Sequence, residues 1–83
     1  MASVNMVSGT NYINDNAVAI TVIFDCDFGT GTASLQLKSA GASAFKTIKT
    51  FTADEVVEAL IPQGAEYKAT LTGDSEIVAT FDY

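Results

Sequence analysis

An all-β sandwich is the fold class that this 83-residue sequence predicts. Apolar and polar residues alternate along several short segments, which is typical of strands that bury one face. Turn-forming Gly, Ser, Asn and Asp residues separate these segments, as they do in sandwiches and small barrels. Hydrophobic residues make up 48% of the chain, which is too many for a disordered segment. We therefore expect one small domain of six or seven antiparallel strands.

The first strand is predicted to begin at Ala17, where the alternation is clearest. Val18, Ile20, Val22 and Phe24 would share one face and Ala19, Thr21, Ile23 and Asp25 the other, and the many β-branched residues disfavour a helix. Later segments show the same alternation at residues 32–38, 44–51, 67–72 and 76–81. The segment 44–51 is less regular: Phe45 and Phe51 could share a face with Thr47 and Lys49, or a bulge could bring Ile48 inward.

Residues 52–60 fit two structures. Thr52-Ala53-Asp54-Glu55 matches a helix capping box, in which Glu follows Thr by three positions. The residues from Val57 to Ile61 instead alternate as in a strand. We favour the strand, because a two-turn helix is marginal without packing and the neighbouring segments are strands.

Residues 1–16 differ from the rest of the chain, because Ser, Asn, Gly and Thr prevail there. We interpret them as an N-terminal arm with at most a short strand, and residues 17–83 as the sandwich domain; a frayed terminus is the alternative. Such an arm would become ordered on contact with another protein, and its deletion would leave the sandwich nearly as stable. Its apolar side chains are the candidate partner-binding residues: Val4, Met6, Val7, Tyr12 and Ile13.

A corner between two strands is predicted at Pro62 and Gly64, directly before a strand that begins at Tyr67. In sandwich domains, a Tyr at such a corner hydrogen-bonds back to the backbone. The order Pro, Gly, Tyr resembles the corner of fibronectin type III and other immunoglobulin-like domains. That resemblance implies an immunoglobulin-like sandwich in which the chain passes from one sheet to the other at this corner.

The charge of the chain argues against two classes of partner. Ten acidic residues against four lysines give a formal net charge of −6, and the chain has no Arg. Such a surface repels the phosphate backbone and lacks the residue that phosphate and base recognition favours. We therefore expect no binding to nucleic acid or to anionic membranes. The longest apolar run is far too short to span a bilayer, and the first residues do not predict a signal peptide.

No group of residues predicts an enzyme, a metal site or a cofactor site. The chain has no His and only one Cys, so the sequence argues against a zinc site and an internal disulfide. Cys26 also lacks a base to activate it, and we interpret it as a small packing residue. Asp25 and Asp27 are spaced as at the start of a calcium loop, but the other oxygen ligands that calcium needs are missing.

Two further groups raise alternatives that have weaker support. Paired acids could serve glycoside hydrolysis, although a solvated turn explains them better: Asp54, Glu55 and Glu58. A sugar-stacking surface would require several aromatic side chains to lie together: Tyr12, Phe28, Phe45, Tyr67 and Tyr83.

In size and composition, the chain is similar to the small, acidic, Ala/Thr/Gly-rich β-sandwich proteins that decorate or cement the capsids of tailed bacteriophages. That resemblance implies a virion structural protein at the capsid surface, made in the host cytoplasm. It also implies the major capsid protein as partner and a homotrimer as the oligomeric form. A core this small, without disulfide or metal, independently favours an oligomer. A carbohydrate-binding or host-adhesion module is the alternative, and an isolated immunoglobulin-like interaction domain comes third.

Overall fold

A computed structural model describes residues 2–81, which form eight β-strands and contain no helix. The strands are β1 (Ala2–Asn5), β2 (Tyr12–Ile13), β3 (Ile20–Asp27), β4 (Ala33–Lys38), β5 (Lys46–Phe51), β6 (Glu55–Ile61), β7 (Glu66–Leu71) and β8 (Glu76–Phe81). Two antiparallel four-stranded sheets result: sheet A in the order β1-β8-β3-β6 and sheet B in the order β2-β7-β4-β5. The predicted all-β sandwich is confirmed.

The strand order is that of a jelly roll. The pairs β1·β8, β2·β7, β3·β6 and β4·β5 nest within one another, as if one long hairpin had been wound into a sandwich. Between residues 2 and 81, the chain changes sheet at each connection except the β4–β5 hairpin. An immunoglobulin-like sandwich would instead keep its first two strands in one sheet. The two-sheet architecture is thus as predicted, and its topology is a jelly roll rather than an immunoglobulin-like domain.

The core lies between the inner faces of the two sheets. In β3 the side chains of Val22, Phe24 and Cys26 are completely buried, and the residues between them face solvent. Leu35 and Ala69 of sheet B belong to the same buried cluster. Because successive side chains of a strand point to opposite faces, the alternation in the sequence determines which residues enter this core.

Strand β3 begins later than predicted. Residues 16–18 bend, and Val18 is 66% exposed, whereas Ile20, Val22 and Phe24, which were predicted to share its face, are buried. The side-chain amide of Asn14 donates a 3.0 Å hydrogen bond to the Val18 carbonyl and holds the backbone in this bend. A local polar contact therefore overrides the apolar alternation at this end of the strand.

Strand β5 contains the irregularity that its weak alternation indicated. Leu35 of β4 lies opposite Lys49, and the next residue of β4 lies opposite Thr47, so Ile48 is an extra residue in a bulge. Of the two alternatives, the bulge is therefore present, but Ile48 is exposed and the bulge does not bring it inward. The bulge bends the strand and increases its twist, as bulges at sheet edges do.

The ambiguous segment 52–60 is a turn followed by strand β6, as favoured from the sequence. All seven residues of β6 pair with β3, from Glu55 opposite Cys26 to Ile61 opposite Ile20. Tertiary pairing and burial of Ile61 thus outweigh the local capping signal.

The structure places residues 2–16 within the sandwich and not beside it. Strand β1 pairs with β8 in sheet A, and β2 pairs with β7 in sheet B. Between them, Met6 is buried in the core, and its amide donates to the Ile77 carbonyl at 2.9 Å. The boundary predicted at residue 16 is therefore corrected, because these residues supply an edge strand to each sheet.

The corner at Pro62 joins the two sheets, as predicted, because β6 lies in sheet A and β7 in sheet B. Tyr67 is buried beside it. Its ring stacks on Tyr12 with 5.7 Å between centroids and meets Phe24 edge-on at 5.8 Å. These ring contacts therefore pack β2 and β3 against the beginning of β7.

Asn14, which follows β2, holds the same corner through polar contacts. Its side chain is 1% exposed, and its Nδ2 donates to the carbonyls of Ile61 at 2.9 Å and Val18 at 3.0 Å. Its Oδ1 accepts from the Asn16 amide at 3.0 Å, and its own amide donates to the Ala65 carbonyl at 3.0 Å. The sequence indicated only a turn here, whereas the structure shows a buried polar link between three segments.

The substitution Tyr67→Phe is expected to lower the free energy of unfolding by about 1 kcal/mol, because it removes a buried hydroxyl and keeps the ring packing. Urea unfolding of the two proteins, followed by circular dichroism, measures the difference. Identical midpoints would contradict a structural role for the hydroxyl at this corner.

Candidate binding face

Cys26 occupies the inner face of β3, and its thiol is free and completely buried. Burial in the core raises the pKa of this thiol, and the carboxylates of Asp54, Asp27, Asp25 and Glu55 raise it further. The thiolate, which is the nucleophilic form, is therefore disfavoured. The structure places Cys26 as a packing residue, in agreement with the sequence interpretation.

The raised pKa of Cys26 predicts a loss of stability at alkaline pH. The folded protein keeps the thiol proton at pH values where the unfolded chain releases it, so the stabilisation is complete below the unfolded pKa of about 8.5 and falls above it. Urea unfolding at several pH values between about 7 and 9.5 measures this slope, with Cys26→Ala as the control that lacks the thiol. The two slopes should differ in this range; equal slopes would contradict the prediction.

The acidic residues near the end of β3 do not converge on one point. Asp25 and Asp27 lie on the solvent-facing side of β3, on either side of the buried Cys26. Asp54 accepts a 2.7 Å hydrogen bond from the Phe28 amide and so fixes the loop that follows β3. Within residues 2–81, no three His, Cys, Asp or Glu side chains lie close enough together to hold a metal ion.

The remaining acids of the predicted turn are also separated. Glu55 forms a 3.1 Å ion pair with Lys49, which links the neighbouring edges of the two sheets. Glu58 lies opposite Ile23, at an outward position of sheet A. The structure therefore does not pair these carboxylates across a cleft.

The aromatic residues do not share one surface. Tyr12 and Tyr67 stack on each other at the core, and Phe28 is half-buried against it. Phe45 lies beside sheet B under a lysine ammonium group 4.4 Å from its ring centroid. Tyr83 lies outside the described residues. The sugar-stacking alternative thus lacks a common aromatic surface in the part of the chain that the structure describes.

The predicted contact residues of the N-terminal segment are partly buried in the fold and partly exposed. Met6 is buried, and Val4 and Tyr12 pack half-buried against the core. Val7 and Ile13 are exposed, Val7 in the loop after β1 and Ile13 in β2. Only the last two side chains are open to a partner, and the other three stabilise the fold.

A different surface, the outward side of sheet A, carries a cluster of apolar residues, of which Val78 is half-buried and the others are exposed. Ile23 of β3 lies at its centre, and Val56, Leu60 and Val78 occupy the diagonal positions on the neighbouring strands. Val56 is 61% exposed and Leu60 is 64% exposed. Diagonal neighbours on one face are within reach of each other, so these four side chains form one apolar cluster. We call this surface the outer face of sheet A.

Carboxylates occupy the positions between these apolar residues. Asp25 lies between Val56 and Val78 in the register, and Glu58 lies beside Ile23. The described strands of sheet A contain five acidic residues and no lysine: Asp25, Asp27, Glu55, Glu58 and Glu76. The lysines of the chain all lie in strands of sheet B: Lys38, Lys46, Lys49 and Lys68. The outer face of sheet A therefore attracts cationic groups.

Sequence reasoning did not identify this face, although part of its signal was present. The alternation places Ile23 on the same face of its strand as the polar residues Thr21 and Asp25. An apolar residue at an outward position indicates a contact surface when its neighbours are also apolar. The sequence does not show that β3 has β6 and β8 as neighbours, and only that pairing brings the four apolar residues together.

Fold and surface together define a small jelly-roll sandwich with one acidic, partly apolar face. Residues 2–81 form no pocket or cleft. No helix that could cross a bilayer occurs in this part of the chain. Comparison with protein-family models, curated proteins and solved structures finds no match.

Proposed function

We propose that this chain is a structural protein of a bacteriophage particle, which decorates or cements the capsid by attaching to its outer surface. The observation that carries the proposal is the outer face of sheet A, where apolar side chains and carboxylates alternate. Apolar side chains gain free energy when a partner covers them, by about 25 cal/mol for each Å² buried. The carboxylates favour a partner that offers Lys or Arg beside its own apolar residues. The proposed partner is such a patch on the major capsid protein.

Two further features support this role. Jelly-roll sandwiches occur in viral capsid domains, as well as in lectins and cupins, so the topology is compatible with this role. A sandwich with an apolar cluster on the outer face of one sheet can cover the boundary between neighbouring capsid subunits. Binding to the assembled state then stabilises that state by mass action.

We propose further that the protein forms a homo-oligomer, with the trimer as the form that the resemblance implies. A core of this size seldom contributes more than ~5 kcal/mol, and a single cysteine allows no internal disulfide. The melting temperature should therefore rise over about a hundredfold range of protein concentration. Scanning calorimetry and light scattering measure both quantities; a monomer with a constant melting temperature would contradict the oligomer.

Attachment to the capsid is tested on native phage particles purified on a density gradient. We expect the chain to migrate with the particles at a fixed ratio to the major capsid protein, as measured by quantitative mass spectrometry. Its absence from the particle fraction would refute the proposal.

A matched pair of variants tests the binding face itself. Ile23→Lys introduces a charge at the centre of the outer face of sheet A, and Ile48→Lys makes the same change at an exposed position of sheet B. Rebinding to stripped particles should weaken about tenfold or more for Ile23→Lys and stay near the unchanged value for Ile48→Lys. Equal effects of the two variants would place the contact elsewhere.

A further inference from the structure

Strand β6 is a long, regular and open edge of sheet A. It pairs with β3 on one side only, over seven residues without a shift of register. In an edge strand, every second residue directs its N–H and C=O groups away from the sheet. β6 contains neither Lys nor Pro. It therefore presents a row of main-chain donors and acceptors to which a further strand can be added.

The other edges of the described sandwich are less suited to strand addition. β5 has a bulge at Ile48 and carries Lys46 and Lys49, and both features are known to block edge pairing. β1 has four residues and β2 has two, so each offers a short ladder. Among the four edges, β6 alone combines length and regular pairing with the absence of Lys, Pro and a bulge.

Side chains next to this edge define the chemistry of the strand that would fit. Val56, Glu58 and Leu60 face outward in alternation, in the order apolar, acidic, apolar. An added strand would place its own side chains directly beside them. Glu58 favours Lys or Arg at the position next to it, and Val56 and Leu60 favour apolar residues.

A second copy of β6 does not meet this requirement. In the antiparallel register that places Val56 opposite Leu60, two β6 strands would bring Glu58 directly opposite Glu58 of the other copy. Like charges on adjacent strands destabilise the pairing. Charge complementarity thus favours a basic strand over self-association at this edge.

We infer that the β6 edge is a β-augmentation site for an extended basic segment of another protein, in which Lys or Arg alternates with apolar residues. The added segment becomes the fifth strand of sheet A and enlarges its outer face. This inference deepens the proposed function, because it assigns a mode of binding to the capsid partner. The assignment of the edge itself depends only on the structure.

The full chain is tested with two synthetic peptides of about eight residues, one alternating Lys with Val and one alternating Glu with Val. Binding is measured by calorimetry, and hydrogen exchange of the backbone amides is followed by NMR. We expect the Lys peptide to bind and to protect every second amide of β6, with no new protection in β1 or β5. We expect the Glu peptide not to bind. Binding of both peptides, of neither, or without protection in β6 would overturn the inference.

Two variants with the same change of charge separate edge pairing from general attraction. Glu58→Lys alters β6, whereas Glu76→Lys alters β8, which is an inner strand of the same sheet. Affinity for the Lys peptide should fall about tenfold or more in Glu58→Lys and less than about threefold in Glu76→Lys. Equal losses would indicate nonspecific attraction to the acidic face and would refute the edge assignment.

Particle binding distinguishes this inference from the proposed function. If the unaltered chain and Glu58→Lys bind equally to stripped particles, the edge does not contact the capsid and the deepened inference fails, while the proposed function stands. If the chain binds the Lys peptide along β6 but is absent from particles, the proposed function fails and the edge assignment stands.

Discussion

A chain that lacks residues 1–10 is expected to be unfolded under conditions where the full chain is folded. The deletion removes β1 and its four residue pairs with β8. It also removes Met6, and truncating a buried Met alone typically costs about 2–5 kcal/mol. A domain of this size has a total stability of only ~5 kcal/mol. The combined loss should therefore exceed what the remaining strands can supply.

Circular dichroism and the dispersion of amide NMR signals measure this effect directly. Two neighbouring point variants serve as controls: Met6→Ala removes a buried side chain, and Val7→Ala shortens one that is 62% exposed. Met6→Ala should lower the unfolding free energy by about 2–5 kcal/mol and Val7→Ala by less than about 0.5 kcal/mol. A folded deletion variant with near-native stability would restore the interpretation of these residues as a separable arm.

The longer strands could be predicted from the sequence, because each carries its own alternation. β3, β4, β7 and β8 all alternate clearly, and each buries the face that the pattern indicates. β1 and β2 could not be predicted in this way. They have only four and two residues, and β1 becomes a strand by pairing with residues 78–81, far away along the chain. Secondary structure that depends on such distant partners leaves little local signal.

The candidate site was predictable only in part, for a related reason. The outward position of Ile23 follows from alternation alone. Its contact with Val56 and Val78 depends on the order of strands in sheet A, and so does the position of β6 at the edge. Strand order reflects the winding of the whole chain, and the corner at Pro62 is common to several sandwich topologies. The resemblance of this corner to immunoglobulin-like domains therefore predicted the two-sheet sandwich correctly but not the jelly-roll order of its strands.

Loss of the Asn14 side chain is expected to be among the most destabilising single changes in this domain. Asn14→Ala leaves the Ile61 and Val18 carbonyls and the Asn16 amide without the hydrogen bonds that they form at 2.9–3.0 Å. A buried polar group left unsatisfied costs about 1–3 kcal/mol. The bond to Ile61 is buried and the other two are partly buried, and the Asn14 side chain itself is 1% exposed, so we expect a loss of about 2–3 kcal/mol.

A second variant separates the effect of losing the hydrogen bonds from the effect of losing the packing of the side chain. Asn14→Asp keeps the size of the side chain and the oxygen that accepts from Asn16, but it replaces both N–H donors with an anionic oxygen facing two carbonyls. If the donated hydrogen bonds hold the corner, Asn14→Asp should destabilise at least as much as Asn14→Ala. Asn11→Ala is the control, since the Asn11 side chain is exposed and makes one long contact of 3.5 Å with Glu66; it should cost less than about 0.5 kcal/mol. Urea unfolding of the three variants provides the test. A near-native Asn14→Asp would show that packing, and not the donated hydrogen bonds, holds the two sheets together at this corner.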